Sequence, residues 1–196
     1  MSPRTQEQFE EIRQEKRQII LDTAIELFAV NSYEGTSISQ IAKKAEISKG
    51  LLYNYFESKE ELLETILNKG IDDMLSLFDP NKDGVLEPHE MEFFIRESFK
   101  MIKENRIFWR LYWSVSFQPT AFKLIDKKID KLLGPVTRMV VQYMDSQGFE
   151  NPMVESMIFG GMLDGITLDY IMKPDVFPID MIIDEIIKRY CTPKTN

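Results

Sequence analysis

Apolar residues recur at helical spacing along almost the whole chain, and no stretch alternates apolar and polar cleanly enough for a half-buried strand. In the first segment Ile20, Ala24, Leu27 and Phe28 fall at i, i+4, i+7 and i+8, which is one buried face of a helix. Asn31–Gly35 breaks that helix. Ser37 with Gln40, and Ser58 with Glu61, have capping-box spacing: the hydroxyl accepts the N–H three residues on, and the longer side chain reaches back. Ser48 is an N-cap for a short helix over 49–56, and the second box opens a long helix over 59–78. Further helices are expected over 88–103, 105–117, 119–147, 152–173 and 178–191, several opening on proline, which gives up no hydrogen bond at a first helical position. The 119–147 helix is expected to be interrupted at Gly134-Pro135 and capped by Gly148. The predicted fold is all-α with about nine helices, three in an N-terminal domain (1–57) and the rest in a C-terminal helical bundle (58–196).

A chain of 196 residues is long enough to bury a real core. Lys plus Arg is 24 against 32 Asp plus Glu, a net charge of −8 that excludes a generally basic nucleic-acid-coating protein. The charge is unevenly spread. Lys43, Lys44, Lys49 and Lys59 against Glu46 and Glu57 make Thr36–Lys59 +2, leaving −10 on the remainder. Two short helices joined by a tight turn at Glu46-Ile47, mildly basic on an acidic body, read as a helix-turn-helix with its positive face toward phosphate. One cysteine, Cys191, forms no intrachain disulfide and fits a reducing cytosol. The charged N-terminal stretch holds no export signal and no run approaches a membrane span, so the expected location is cytoplasmic with no membrane partner. Nothing supports an enzyme, because the lone histidine, His89, has no evident nucleophile beside it.

The run GTSISQIAKKAEISKGLLYNYFESKEELL, Gly35 to Leu63, resembles the TetR family of transcriptional regulators in its small polar start, IA pair, SKG step and Y-x-[YH]-F-x-x-K-x-x-L ending. Tyr33 and the Ala24, Leu27, Phe28 stripe match the helix before it. The resemblance implies that Thr36 and Ser37 hold a phosphate at the start of the second helix, where free N–H groups and the helix dipole favour an anion. It implies that Ser48, Lys49 and Gly50 open the recognition helix, with Lys49 reaching a base edge or phosphate. Tyr53 and Tyr55 would bond the DNA backbone, and Lys59 would pin the register. Lys43 and Lys44 join the expected DNA-facing set, with ordinary surface lysines as the alternative. Two positions depart from the family pattern. Glu46 stands where glycine is usual, so the turn is expected to be strained. Leu51 replaces a small or hydroxylated residue, and is expected to touch a thymine methyl instead of forming a hydrogen bond. Ile38, Ile41, Ala42, Ile47, Leu52 and Phe56 read as three-helix core.

A second pattern is independent of the first. Asp79–Glu90, DPNKDGVLEPHE, fits a twelve-residue calcium loop: Asp79, Asn81 and Asp83 at the first, third and fifth places, and Gly84 at the sharp turn. Val85 would offer its carbonyl, Glu87 would act through water, and Glu90 would be the bidentate last ligand. The alternative is a polar turn between helices, since such turns favour Asp, Asn and Gly anyway. No cofactor is required; calcium is the one candidate metal.

The middle helices are rich in large apolar side chains, among them Phe94, Trp109, Tyr112, Trp113, Phe117, Met139 and Tyr143. They read either as plain core or, as the resemblance implies, as the lining of an effector cavity for an apolar or aromatic small molecule. Ile179, Ile182, Ile183, Ile186, Ile187 and Tyr190, and before them Met157, Ile158, Gly161 and Gly165, read as internal core. The resemblance implies instead a homodimer through the last two helices. The function so implied is a homodimeric repressor, released from a palindromic double-stranded operator by a small-molecule effector. The alternative from another class is a calcium-binding sensor or adaptor using loop 79–90.

Overall fold

The computed structural model describes residues 5–118, 123 and 126–192. Among the described residues it holds nine helices and no strand. They are α1 (Gln6–Asn31), α2 (Ile38–Lys44), α3 (Lys49–Tyr53), α4 (Lys59–Leu75), α5 (Pro88–Glu104), α6 (Arg106–Ser116), α7 (Asp126–Ser146), α8 (Pro152–Met172) and α9 (Ile179–Cys191). The all-α expectation holds, and the caps explain the boundaries. The Ser37 hydroxyl accepts the Gln40 N–H while the Gln40 side chain returns to the Ser37 N–H at 2.7 Å, a complete capping box. The Ser48 hydroxyl accepts the Leu51 N–H at 3.0 Å. At α4 the Ser58 hydroxyl accepts the Glu61 N–H, but the Glu61 carboxylate reaches one residue further back, to the Glu57 N–H. Gly148 ends α7 at φ +74° with the Phe149 N–H on the Met144 carbonyl, the left-handed stop that glycine makes without a Cβ penalty.

Several boundaries differ from the sequence reading, among them the end of α4, at Leu75 instead of Phe78. The recognition helix ends at Tyr53 instead of Phe56, since beyond it the chain goes over to turns closed by Tyr55 and Phe56 N–H groups on the Leu52 carbonyl. Helix α7 runs unbroken through Pro135. A proline forfeits its own bond to the previous turn at roughly 3 kcal/mol, and the packing of α7 along α8 offsets that loss. The expected start of that helix at Pro119 lies outside the described residues. Helix α1 begins at Gln6 under a Thr5–Gln8 capping box, well before the apolar stripe that announced it.

The chain divides into two units, one of Met1–Lys69 with Arg110–Leu124, the other of Gly70–Trp109 with Ile125–Asn196. In the first, α1 packs on α2 and α2 on α3. Its core holds Ile20, Ala24 and Phe28, with Ile41, Ala42, Leu52 and Phe56, all at most 2% exposed. In the second, α5 packs on α9, with Met91, Ile95 and Phe99 buried on the one and Ile183, Ile186 and Tyr190 on the other, and with Arg96 donating to Asp184. The isoleucine stripe of the last helix is therefore largely internal core. Several apolar groups are left outside on α8, where Met157 is 69% and Ile158 53% exposed, with Met181 of α9 at 75%.

Candidate nucleic-acid interface

The turn between α2 and α3 is short because Glu46 takes the left-handed conformation, φ +56°, while its N–H reaches the Lys43 carbonyl and that of Ile47 the Ala42 carbonyl. The expected strain at this glycine position is present, and a non-glycine residue there costs on the order of 1 kcal/mol. The result leaves one side of α3 exposed. Lys49, Gly50, Leu51 and Tyr53 face solvent, while Leu52 is fully buried. The Lys49 ammonium lies 5.9 Å from the centre of the Tyr53 ring.

Between the start of α2 and this face runs an open groove of about 380 Å³ whose lining includes Thr36, Ser37, Ser39, Lys49, Tyr53 and Lys59. Ser37 is exposed at its edge, on the capped N-terminus of α2, where amide dipoles favour negative charge. Two members behave differently from the outward-facing set. Thr36 is 1% exposed, and its hydroxyl turns inward to the carbonyls of Ser32 at 2.8 Å and Leu27 at 3.1 Å. Lys59 is half-buried, and its ammonium donates to the carbonyls of Tyr33 at 3.0 Å and Thr36 at 3.1 Å. Tyr55 is half-buried just beyond α3; Lys43 is exposed at the end of α2, and Lys44 there pairs with Glu26 at 2.6 Å. Tyr33 is the residue whose part the spacing did not reveal. Its ring packs edge-on against Phe28 and lies 4.3 Å from the Lys59 ammonium. Burial first, and then the Glu60 carboxylate, hold its phenol well above the usual range, so it is neutral at physiological pH.

The other candidate residues fall into separate groups. In the second unit Phe94 packs on Phe78 with ring centres 4.0 Å apart, Trp109 is buried, and Met139 is half-buried. There too the Tyr143 hydroxyl donates to the Tyr190 carbonyl at 2.7 Å. In the first unit Tyr112, Trp113 and Phe117 form a run of ring contacts, with Phe117 71% exposed. In loop 79–90 the Asp79 carboxylate accepts the Asp83 and Gly84 N–H groups, and Asn81 and Asp83 accept those of Asp83 and Val85. Gly84 stands at φ +79° and Lys82 at φ +60°. Glu90 is 3% exposed and caps the Glu87 N–H, with Glu87 returning the cap, while Val85 points outward. Among the described residues no group of three or more His, Cys, Asp or Glu side chains is gathered to hold a metal ion. No described helix is long and apolar enough to cross a membrane.

The family model for bacterial regulatory proteins, tetR family, matches residues 20–66, the segment that builds this groove and the exposed side of α3. Over those residues the chain carries the N-terminal, DNA-binding segment of the tetR family pattern. The chain is 52% identical over 54 residues to the uncharacterized HTH-type transcriptional regulator YuxN of Bacillus subtilis (strain 168), covering 28% of this chain and 19% of that protein. It is 38% identical over 66 residues to the biofilm operon icaADBC HTH-type negative transcriptional regulator IcaR of Staphylococcus epidermidis, covering 32% and 36%. The matches therefore span about a fifth and about a third of these relatives' lengths. In fold, it resembles AibR, solved in complex with isovaleryl coenzyme A and operator DNA, with a TM-score of 0.67 over 91% of this chain and 99% of that one at 22% identity.

Proposed function

We propose that this protein is a DNA-binding transcriptional regulator of the cytoplasm, a homodimeric repressor released from a palindromic operator by a small apolar or aromatic effector. It has no catalytic part in this reading. The observation that carries it is the groove at the start of α2 beside the exposed side of α3, where Ser37, Lys49 and Tyr53 stand outward on a segment that is +2 in a chain of −8. In this reading phosphate contacts there position the protein, and Lys49 and Leu51, both exposed, read base edges. Lys43, on the exposed end of α2, adds charge rather than specificity.

Dimerisation is supported by the apolar side of α8, which ends in open space at Gly161 and Gly165 and gives a second helix room to approach closely. A two-fold pair presents two recognition helices to half-sites about one helical turn, roughly 34–36 Å, apart or more. Release follows if the effector binds better to a conformation whose spacing does not fit the operator, and by linkage the operator then weakens effector binding equally. For the effector, Trp113 and Phe117 offer aromatic surface in the first unit, and Met139 offers an adaptable side chain in the second. The AibR complex shows a relative of this fold that takes operator DNA and an acyl coenzyme A.

The test is fluorescence anisotropy on duplex DNA from upstream of this protein's own gene, across a salt series, with random DNA as competitor. The expected result is tight, salt-sensitive binding that Lys49→Ala weakens, with a slope lower by about 0.9 for each phosphate that is no longer neutralised. Equal affinity for every duplex, or a Lys49→Ala protein that binds like the wild type, overturns it.

A second reading concerns loop 79–90 alone, as a calcium clip inside the second unit. The left-handed Lys82 and Gly84, and the turn closed on Asp79, support it. Against it stands the use of the Asp79, Asp83 and Glu90 carboxylates as acceptors for the loop's own N–H groups.

A further inference from the structure

We propose that the N-terminal half of α1 is a second DNA-contacting element, in which Arg13, Lys16 and Arg17 form a basic strip that lies along the phosphate backbone beside the helix-turn-helix. The inference rests on the DNA-binding reading above. The matched family segment begins at residue 20, whereas α1 begins at Gln6, so about four helical turns precede it. None of residues 6–19 is fully buried.

The two sides of this overhang differ in charge. Ile20, Ala24 and Phe28, each at most 1% exposed, mark the side of α1 that enters the core. Counting back three, four and seven residues from Ile20 gives Arg17, Lys16 and Arg13, spacings that keep to one helix face. The side that carries core downstream therefore carries three cations upstream. Glu11 stands nine residues before Ile20, two and a half turns, and so lies on the opposite side. Glu7, Glu15 and Asp22 share that side at spacings of four and seven, and all four are exposed. Glu10 is the acid nearest the strip, and its carboxylate accepts a Gln14 side-chain N–H at 2.7 Å. Among the described residues none of the three cations is paired with a carboxylate.

The strip starts at the helix-turn-helix itself. The Arg17 guanidinium lies 4.9 Å from the centre of the Phe56 ring, the residue after Tyr55, and this stacking holds it half-buried. Arg13 stands one turn, roughly 6 Å, further out, and both it and Lys16 are exposed. An apolar partner laid here would bury three charges without counterions. A duplex supplies them, with one phosphate charge for roughly each 1.7 Å of its axis. Such contacts add affinity without reading sequence.

The measurement uses the full chain across a salt series, with a duplex of roughly 30 base pairs from upstream of its own gene and a random duplex of equal length. Arg13→Gln and Lys16→Gln are made together, and Arg17 is kept because it also covers Phe56. Both positions are exposed, so the fold tolerates the change. The expected result is a slope of log K against log salt lower by about 1.8 per chain, about 0.9 for each phosphate no longer neutralised. Between 1 M and 0.1 M salt that is a deficit of roughly sixtyfold per chain, equal on both duplexes. Arg13→Lys with Lys16→Arg is expected to keep the wild-type slope, and so is Glu11→Gln with Glu15→Gln on the far side. A wild-type slope in the Arg13→Gln, Lys16→Gln protein overturns the proposal. So does a loss confined to the upstream duplex, which would make the strip a reader of bases. An equal and opposite shift in the glutamate pair also overturns it, since net charge alone would then account for the effect. A wild-type protein that binds neither duplex overturns the DNA-binding reading itself, and this inference with it.

Discussion

Gly70 sits inside α4, where helix propensity alone favours replacement: alanine is better than glycine by about 1 kcal/mol in a helix interior. The structure reverses that expectation. A Cβ built on Gly70 would stand 1.9 Å from Cζ of Phe108 and 2.5 and 2.8 Å from its two Cε atoms, against the 3.4 Å or more of ordinary contact. The ring must withdraw by about 1.5 Å or swing away, and in moving it gives up its edge-to-face contact with Trp109, whose ring centre is 5.1 Å off. Such an aromatic pair contributes about 0.5–1.5 kcal/mol, and overpacking costs about 1–3 kcal/mol. Because Phe108 is only half-buried and its ring tip is free to turn, the lower part of that range applies. Set against the propensity gain, the net is about 1 kcal/mol of destabilisation, a fall of roughly 2–4 °C in Tm for a chain of this size. Differential scanning calorimetry of Gly70→Ala in the wild-type and Phe108→Ala backgrounds separates the two effects. With the ring gone, the same substitution is expected to stabilise by about 1 kcal/mol. A Gly70→Ala protein more stable than the wild type refutes the packing argument.

Three further outcomes are expected. Ser37→Ala removes the N-cap of α2 and lowers stability by about 1 kcal/mol, read as a lower Tm; an unchanged Tm would mean that the Gln40 side chain caps α2 alone. Burial pushes the Cys191 thiol up to about 11, so at pH 8 its alkylation by iodoacetamide in the native protein runs about a hundredfold slower than in the unfolded chain. The raised value also sets a sign: Cys191 contributes stability that is complete below about pH 9 and is lost as pH rises through about 11, which alkaline denaturation would show. For loop 79–90, the calcium clip requires that Ca²⁺ at about 1 mM raise the Tm and that Glu90→Gln abolish the rise, whereas a turn closed by its own side chains shows no calcium shift in either protein.

The groove's outward residues were legible because each rests on local chemistry. Ser37 and Ser48 are caps, and cap spacing is written in the chain. Lys49 and Tyr53 stand one turn apart on α3, so helical period puts them together, and both are exposed while Leu52 is buried. The strain at Glu46 followed from a residue where only glycine is at ease. The resemblance placed Thr36 and Lys59 in the same group, and spacing held nothing to contradict it. The Lys59 ammonium donates to carbonyls 26 and 23 residues back, a contact that no local pattern records, while the Thr36 hydroxyl bonds the Ser32 and Leu27 carbonyls, four and nine residues back.

The sequence by itself therefore determined the helices, their caps, the helix-turn-helix and the tetR-family match over residues 20–66, since all of these depend on neighbours within about four residues or on a contiguous motif. Only the tertiary structure decided where the isoleucines of α9 go. Their stripe suits a dimer face and an internal core equally well, and packing against α5 makes most of it core. It also carried α7 through Pro135, where local propensity asked for a break, and set Phe108 on Gly70, where propensity asked for alanine. In each case a side chain or helix remote in sequence outweighed a local preference worth about 1–3 kcal/mol.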